Sequence, residues 1–192
     1  MPSRSWREWN ATRALKLDEI EAAHRGIGGA AAGRRYATEQ INHAYAVLLA
    51  SQFQGFCRDL HSECVECVVR VVAPTVLQPM LRAVFVLGRG LERGNANPGN
   101  IGADFNRLGV EFWTKVATDH PRNGRRREML DQLNVWRNAI AHQDFDPGKL
   151  GGTTMLRLSQ VRRWRNACNG LAQSFDNIMH GHVAAVTGTA PW

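Results

Sequence analysis

Long apolar runs are missing from this chain. Hydrophobic residues make up 44% of its 192 residues, but runs such as AYAVLLA and AVFVLG are far shorter than the roughly 20 residues that cross a bilayer. The N-terminus carries charges throughout and lacks the apolar stretch and small-residue cleavage site of a secretory signal. We therefore expect no membrane span and a protein that stays in the cytosol.

Cysteine is scarce, and its pattern does not favour a bridge or a metal site. Only four cysteines are present, and in a reducing compartment they are expected to be thiols. Cys64 and Cys67 form a C-x-x-C, but with Cys57 they follow helical spacing among apolar residues, and no second ligand pair of suitable spacing exists. Core packing is therefore favoured over zinc or redox chemistry. His180 and His182 are interpreted as an exposed pair, so no metal or cofactor is expected.

Signatures of several enzyme classes are also missing. The chain has no sustained period-two alternation, no phosphate loop of the G-x-x-x-x-G-K type, no H-E-x-x-H and no G-x-S-x-G. The glycine cluster GIGGAAAG follows no predicted strand, which argues against a dinucleotide-binding fingerprint. An all-α fold is the prediction that remains.

Apolar spacing predicts a bundle of about five helices behind an N-terminal helical arm. Residues 1–34 are interpreted as this arm, helical from about Thr12 to His24, followed by a Gly/Ala-rich linker, and residues 35–192 as the helical domain. The residues of the arm are not expected to belong to the core. The bundle helices are expected at about Thr38–Val72, Pro79–Leu87, Ile101–Thr118 with an interruption at Gly109, Arg125–His142, and from Ser159 onward.

Two of these helices show a regular apolar stripe. The first long helix repeats residues at intervals of three and four, namely Ile41, Tyr45, Leu48, Gln52, Phe56 and Leu60. The last helix has the most regular stripe, namely Val161, Trp164, Cys168, Leu171, Phe175 and Ile178. Such stripes are typical of a bundle core.

The helix that ends in LNVWRNAIAH carries polar residues beside its apolar stripe. Arg137 and His142 are five residues apart, so their side chains diverge by roughly 140° on an ideal helix. Asn138 lies between them with a donor and an acceptor, so one phosphate group could touch all three. Two structural alternatives stay open, in which His142 caps helix carbonyls and Arg137 pairs with a carboxylate.

The segment RNAIAH resembles the R-x(4 to 6)-H motif of the HEPN superfamily, in which a polar residue, often Asn, commonly follows the Arg. The similarity extends to INHAYAVLLASQFQGFCRDL, NIGADFNRLG and VRRWRNACNGLAQSFDNIM, which resemble the first long helix, middle segment and final helix of the RiboL-PSP branch. It covers about Arg35 to His182. An HEPN-like bundle is what this resemblance implies.

Many HEPN proteins are metal-independent endoribonucleases that act as toxins or defence effectors. The resemblance implies that Arg137 and His142 are catalytic and that Asn138 supports them in cleaving single-stranded RNA by 2'-hydroxyl attack. It also implies a homodimer in which two motifs face one cleft, with Ala141 small enough to let two helices approach. Some family toxins carry a Tyr two residues after the His, which a partner enzyme adenylylates. Asp144 stands there instead, so a different antitoxin or regulatory partner is expected.

The net charge of +7 favours a polyanionic partner, although it also suits a merely solvated basic surface. The candidate RNA-binding residues form two clusters, namely Arg122, Arg125, Arg126 and Arg127 leading into the motif helix, and Arg162, Arg163 and Arg165 in the last helix. Two other functions remain open: a catalytically silent HEPN module that binds a protein partner or nucleotide, and a basic helical protein that binds DNA and RNA alike.

Overall fold

The computed structural model describes residues 1–27, 35–72 and 74–192, which contain helices and no strand, so the predicted all-α class is confirmed. The elements are α1 (Arg4–Glu8), a π-helical turn (Trp9–Arg13), α2 (Ala14–Ile27), α3 (Arg35–Val72), a 3-10 turn (Thr75–Leu77), α4 (Gln78–Val86), α5 (Gly90–Arg93), α6 (Pro98–Asn106), α7 (Phe112–Asp119), α8 (Asn123–His142) and α9 (Leu158–Thr187). None of these described helices combines the length and apolarity that a membrane span requires.

The two longest helices, α3 and α9, form the centre of the bundle, and α8 packs against both. The predicted stripe of α9 is buried from Val161 to Phe175, while Ile178 at its end is only half-buried. Phe175 contacts Phe53 of α3 at 6.0 Å and Phe112 of α7 at 4.7 Å between ring centroids. Each large apolar side chain buried in this way contributes about 1.5–3 kcal/mol, so this aromatic cluster ties three helices together.

The predicted stripe of α3 is partly wrong. Tyr45 and Phe56 are fully buried as expected, but Leu48 is half-buried, whereas Leu49 and Phe53 are fully buried. The reason is that α3 is packed against by α2, α4, α8 and α9 on several sides. A helix with so many neighbours buries a broad face, and the phase of a single stripe then does not identify the core residues.

The N-terminal segment contributes to the core, contrary to the expectation that its residues stand apart. Trp9 and Leu17 are about 2% and 1% exposed. The Trp9 ring packs edge-on against Phe53 at 5.6 Å, and its Nε1 donates to Asn169 Oδ1 of α9 at 3.1 Å. Most of the predicted linker, residues 28–34, lies outside the described residues.

Polar contacts also fix the N-terminal segment to α3. The carboxylate of Glu63 accepts hydrogen bonds from the backbone amides of Arg4 at 2.8 Å and Ser5 at 3.0 Å, so it caps α1. The guanidinium of Arg13 donates to Asp59 at 2.5 Å and lies against Gly55, where any Cβ would collide with it. A glycine at this position therefore leaves room for the Arg13 guanidinium.

The middle of the chain is divided as the glycine pattern predicts. The helix expected over Ile101–Thr118 is split into α6 and α7, and Gly109 between them has φ +80°, a conformation that favours glycine. The expected loop over residues 88–100 contains the short helix α5, because the Asp104 carboxylate accepts from the backbone amides of Gly90 and Leu91, both at 2.8 Å. Helix α9 begins at Leu158, one residue before the expected cap at Ser159.

Beneath α5 lies a buried polar cluster around His61. Its Nε2 lies 3.1 Å from the Asp104 carbonyl oxygen, so this nitrogen carries the proton, and its Nδ1 accepts from Arg89 Nη1 at 3.2 Å. The ring is fully buried. Burial, followed by the charge of Arg89, lowers the pKa of His61 to about 4. The cluster is therefore built around a neutral imidazole.

The cysteines pack as the spacing indicates. Cys57, Cys64 and Cys168 are buried free thiols, and Cys67 is half-buried. Burial raises the pKa of all four thiols, so they are poor nucleophiles at neutral pH. Across the part of the chain that the structure describes, no three His, Cys, Asp or Glu residues are grouped so that they could hold a metal ion.

Candidate active site at the end of α8

The C-terminal turn of α8 brings the motif to the surface. Leu133, Trp136 and Ala139 are buried against the bundle, whereas Asn138 and His142 are exposed. The helix ends because Gln143 adopts a left-handed conformation with φ 55°. The chain then turns away from the helix axis, and this turn leaves the His142 imidazole open to solvent.

Asn138 forms the hydrogen bonds of the motif. Its Oδ1 accepts a hydrogen bond from Arg137 Nη1 at 3.2 Å and another from Asn95 Nδ2. The amide oxygen is therefore held from two sides, and it in turn orients the guanidinium. Asn138 thus contacts one of the two candidate catalytic residues, Arg137, and its supporting role stays a prediction.

A loop before α6 carries Asn95 to this place. The buried amide of Asn134, one turn before Asn138, donates to the Ala96 carbonyl at 3.0 Å. Asn97 caps α6 by accepting from the Asn100 amide at 2.8 Å. These bonds hold the two residues directly after Asn95, and Asn100 Nδ2 donates to the Asn95 carbonyl at 2.8 Å, so the backbone from which the Asn95 side chain reaches Asn138 is fixed. Asn95 could not be predicted from sequence, because a contact across 43 positions leaves no local spacing signal.

His142 lines a pocket of about 390 Å³ together with Asn138, Asp144 and Lys149. Arg137 is not among the residues that line this pocket, as expected from side chains that diverge by roughly 140°. Asn138 is therefore the residue that connects Arg137 to the pocket of His142, because it bonds to Arg137 and lines this pocket.

Neither structural alternative for the motif residues is found. Within residues 1–27, 35–72 and 74–192, Arg137 forms no ion pair, and its one hydrogen bond goes to Asn138. His142 caps no carbonyl, because it is Gln143 whose Nε2 donates to the Ile140 carbonyl at 2.8 Å. Both motif side chains are thus free to act on a ligand.

A second histidine supports the turn after the motif. His43 of α3 is about 8% exposed, and its ring stacks on Phe145 with centroids 5.3 Å apart and lies 6.4 Å from the Trp136 ring. Burial lowers the pKa of His43, so the neutral form is favoured. This packing fixes the chain three residues beyond His142, and it too depends on a contact distant in sequence.

The first candidate RNA-binding cluster lies at the opposite end of α8. From Arg125 to His142 the helix rises about 25 Å, and Arg122 is still farther away. Arg126 donates to Asn123 Oδ1 at 2.8 Å and lies against Gly170, while the Arg127 guanidinium lies 4.7 Å from the centroid of the Trp113 ring. The structure therefore does not bring this cluster to the motif, and Arg126 and Arg127 have contacts within the protein.

The second cluster is divided between internal contacts and solvent. Arg162 forms an ion pair with Glu21 of α2 at 2.6 Å, and Arg165 forms one with Asp18 at 2.7 Å. Arg163 is exposed, and its guanidinium bonds to the neutral side chain of Gln160. Of this cluster, Arg163 is the cation that remains available to a ligand.

Comparison with known proteins adds no assignment: no family model, no curated protein and no solved structure matches the chain. The function must therefore be argued from the motif and its geometry.

Proposed function

We propose that this protein is a metal-independent endoribonuclease of HEPN type, a toxin or defence effector that cleaves single-stranded RNA. The observation that carries the proposal is the state of the motif at the end of α8. His142 is exposed in a pocket, Arg137 has no counter-ion among the described residues, and Asn138 bonds to Arg137 and lines the pocket of His142. These polar groups are therefore placed where a bound phosphate can reach them.

The proposed reaction is internal transesterification. The 2'-hydroxyl oxygen of one ribose attacks the adjacent phosphorus, and the bond from phosphorus to the 5'-oxygen breaks. A general base removes the proton of the 2'-hydroxyl, and a general acid protonates the leaving 5'-oxygen. The products are a 2',3'-cyclic phosphate and a 5'-hydroxyl. His142 supplies the imidazole, and Arg137 binds the charge that develops on the phosphoryl oxygens.

A homodimer completes this site. One protomer offers one motif imidazole, whereas base and acid work best as two groups, and Arg137 does not line the pocket of its own His142. A two-fold pairing of α8 ends would place two imidazoles and two guanidiniums around one phosphate. Specific activity is then expected to fall on dilution as the dimer dissociates, which enzyme assays at decreasing protein concentration would measure.

The test is cleavage of single-stranded RNA in the presence of EDTA by the wild type, His142→Ala and Arg137→Ala. Both variants should lose at least about a hundredfold in rate, because each removes a group that acts on the transition state. Matched controls are His180→Ala in α9 and Arg70→Ala in α3. They remove the same residue types from helices other than α8, at positions far from the motif. A substrate with 2'-deoxyribose at the scissile position should resist cleavage.

The proposal fails if chelation abolishes cleavage, if the 2'-deoxy substrate is cut equally well, or if both motif variants keep full activity. An activity lost equally in the His180 and Arg70 controls would show that the loss is not specific to the motif, and it too would contradict the proposal.

A second candidate is a catalytically silent module that binds a protein partner. It is favoured by a row of exposed apolar side chains along the 3-10 turn, α4 and the residue after it, namely Val76, Met80, Val84 and Leu87. Exposed apolar rows of this kind often mark protein interfaces. This candidate predicts that RNA stays intact under all conditions, whereas binding of the partner is lost in Met80→Asp and is unchanged in His142→Ala.

A further inference from the structure

A second, larger pocket adjoins that of His142. It encloses about 780 Å³ between α8, the loop after it and the first turns of α9. Three cationic side chains line it, Lys149, Arg157 and Arg163, against one carboxylate, Asp131. Lys149 is paired with Asp144 at 2.9 Å, so the two arginines are the cations of this pocket that matter for an anionic ligand.

The two arginines of this pocket lack counter-ions. Among the described residues, Arg157 forms no ion pair, and its exposed side chain is not engaged in a hydrogen bond. Arg163 bonds only to the neutral Gln160, whereas its neighbours Arg162 and Arg165 are both paired with acidic residues of α2. These two guanidiniums are thus available to an anionic ligand.

The start of α9 adds to this positive potential. No side chain caps the helix at Arg157, and its first turn contains no acidic residue. The helix is 30 residues long, and Ser159 of its first turn lines the pocket. The free backbone amides of an uncapped N-terminus and its partial positive charge favour an anion. They reinforce the two guanidiniums without being a site by themselves.

The two pockets lie side by side, and the exposed Lys149 stands between them. Val135, Lys149 and Leu150 line both the larger pocket and the pocket of His142. A chain-like ligand can therefore occupy both at once. Single-stranded RNA has this form, since it carries one phosphate per nucleotide.

We propose that the larger pocket is an RNA-binding subsite that holds the phosphates flanking the scissile bond through Arg157 and Arg163. The class of ligand rests on the proposed ribonuclease function. Arg157 is a new assignment, and Arg163 is the one member of its cluster that keeps a ligand-binding role. The cluster at the start of α8 is not needed for this subsite.

The test measures binding separately from cleavage. A fluorescein-labelled single-stranded RNA with 2'-O-methyl groups lacks the nucleophile, so its affinity can be measured by fluorescence anisotropy without turnover. Arg157→Gln and Arg163→Gln should each weaken binding about fivefold, and the double variant about twenty-five-fold, if each guanidinium binds one phosphate. The slope of log affinity against log salt should become shallower by about 0.7 for each guanidinium removed.

Arg70→Gln is the matched control. It removes the same charge from an exposed position of α3, about 40 Å along the helix from His43, which packs beside the motif turn. Its affinity and salt slope should equal those of the wild type.

Each outcome decides the inference. If both pocket variants bind with the wild-type affinity and salt slope, or if the RNA does not bind at all, the subsite is refuted. This holds even if His142-dependent cleavage of ordinary RNA is observed. If binding depends on Arg157 and Arg163 while ordinary RNA stays intact, the subsite is supported and the ribonuclease proposal fails. A loss of affinity equal to that of Arg70→Gln would show non-specific charge attraction and would refute the subsite.

Discussion

Protonation of His61 is expected to destabilise the fold as the pH falls from 6.5 towards 4. In the folded protein, burial and then Arg89 hold the pKa of this imidazole at about 4, against an ordinary value of 6.5. Because the folded-state pKa is depressed, the unfolded chain binds the proton more tightly. The stabilisation is therefore present above pH 6.5 and is lost as the pH falls through this interval.

The size of the effect follows from the same two values. Each pKa unit corresponds to about 1.4 kcal/mol, so the interval from 6.5 to about 4 corresponds to about 3 kcal/mol. The burial of the ring supports this full value, since it is about 0% exposed and the guanidinium that faces its Nδ1 is about 4% exposed. The cluster gives a second proton no acceptor, because Nδ1 faces only Arg89.

Urea unfolding, followed by circular dichroism at about pH 7 and about pH 4, would measure this loss. The comparison is His61→Gln, whose amide can still donate to the Asp104 carbonyl but has no titrating group in this range. The wild type should lose about 3 kcal/mol more than the variant on acidification. Burial raises the pKa of Asp176, so protonation of this carboxyl stabilises the fold at low pH and opposes the loss of stability. This contribution is the same in both proteins and cancels in the comparison. Equal losses in the two proteins would refute the neutral, buried imidazole.

Three further predictions follow from packing and hydrogen bonds. Asn95→Ala removes a donor to Asn138 and should lower the RNA cleavage rate about tenfold with little change in KM, because the guanidinium is less well positioned; unchanged steady-state rates would contradict this role. Trp9→Ala should lower the free energy of unfolding by about 3–5 kcal/mol, measured by urea denaturation, whereas Leu15→Ala, on the exposed side of the same segment, should change it by less than about 0.5 kcal/mol. A similar small effect for both would mean that the N-terminal segment does not stabilise the core. In a thiol assay of the native protein, Cys67 should be the reactive cysteine and the three buried thiols should react only in denaturant; fast labelling of Cys57 or Cys168 would contradict their burial.

Helix positions and the α9 core could be predicted from sequence because they depend on local periodicity. The spacing of Val161, Trp164 and Cys168 identifies a buried face without knowledge of what covers it. Apolar spacing does not identify the buried face of α3, because neighbours on several sides bury both Leu49 and Phe53 beside the expected stripe. The contact of Trp9 with Asn169 spans 160 positions, and no local pattern indicates it.

The candidate site shows the same division. Arg137, Asn138 and His142 are recognisable because they lie within six residues of one helix. The residues around the motif cannot be recognised from the sequence, since Asn95 and His43 reach it from other parts of the chain. The tertiary structure also decides which arginines are paired with a carboxylate. Arg162 is paired with Glu21 across 141 positions, while the adjacent Arg163 is not.

Helices α1 and α2 leave the ribosome before α9, yet α9 carries several of their partners. The Ser3 amide donates to Asp176, Trp9 to Asn169 and Arg162 to Glu21, so each of these bonds must wait until α9 has emerged. Until then Trp9 can pack against Phe53 and Phe56 of α3 but lacks its contact with α9, so the nascent chain exposes part of an apolar surface that is later buried. Folding of the first helices is therefore expected to be completed after translation of the last.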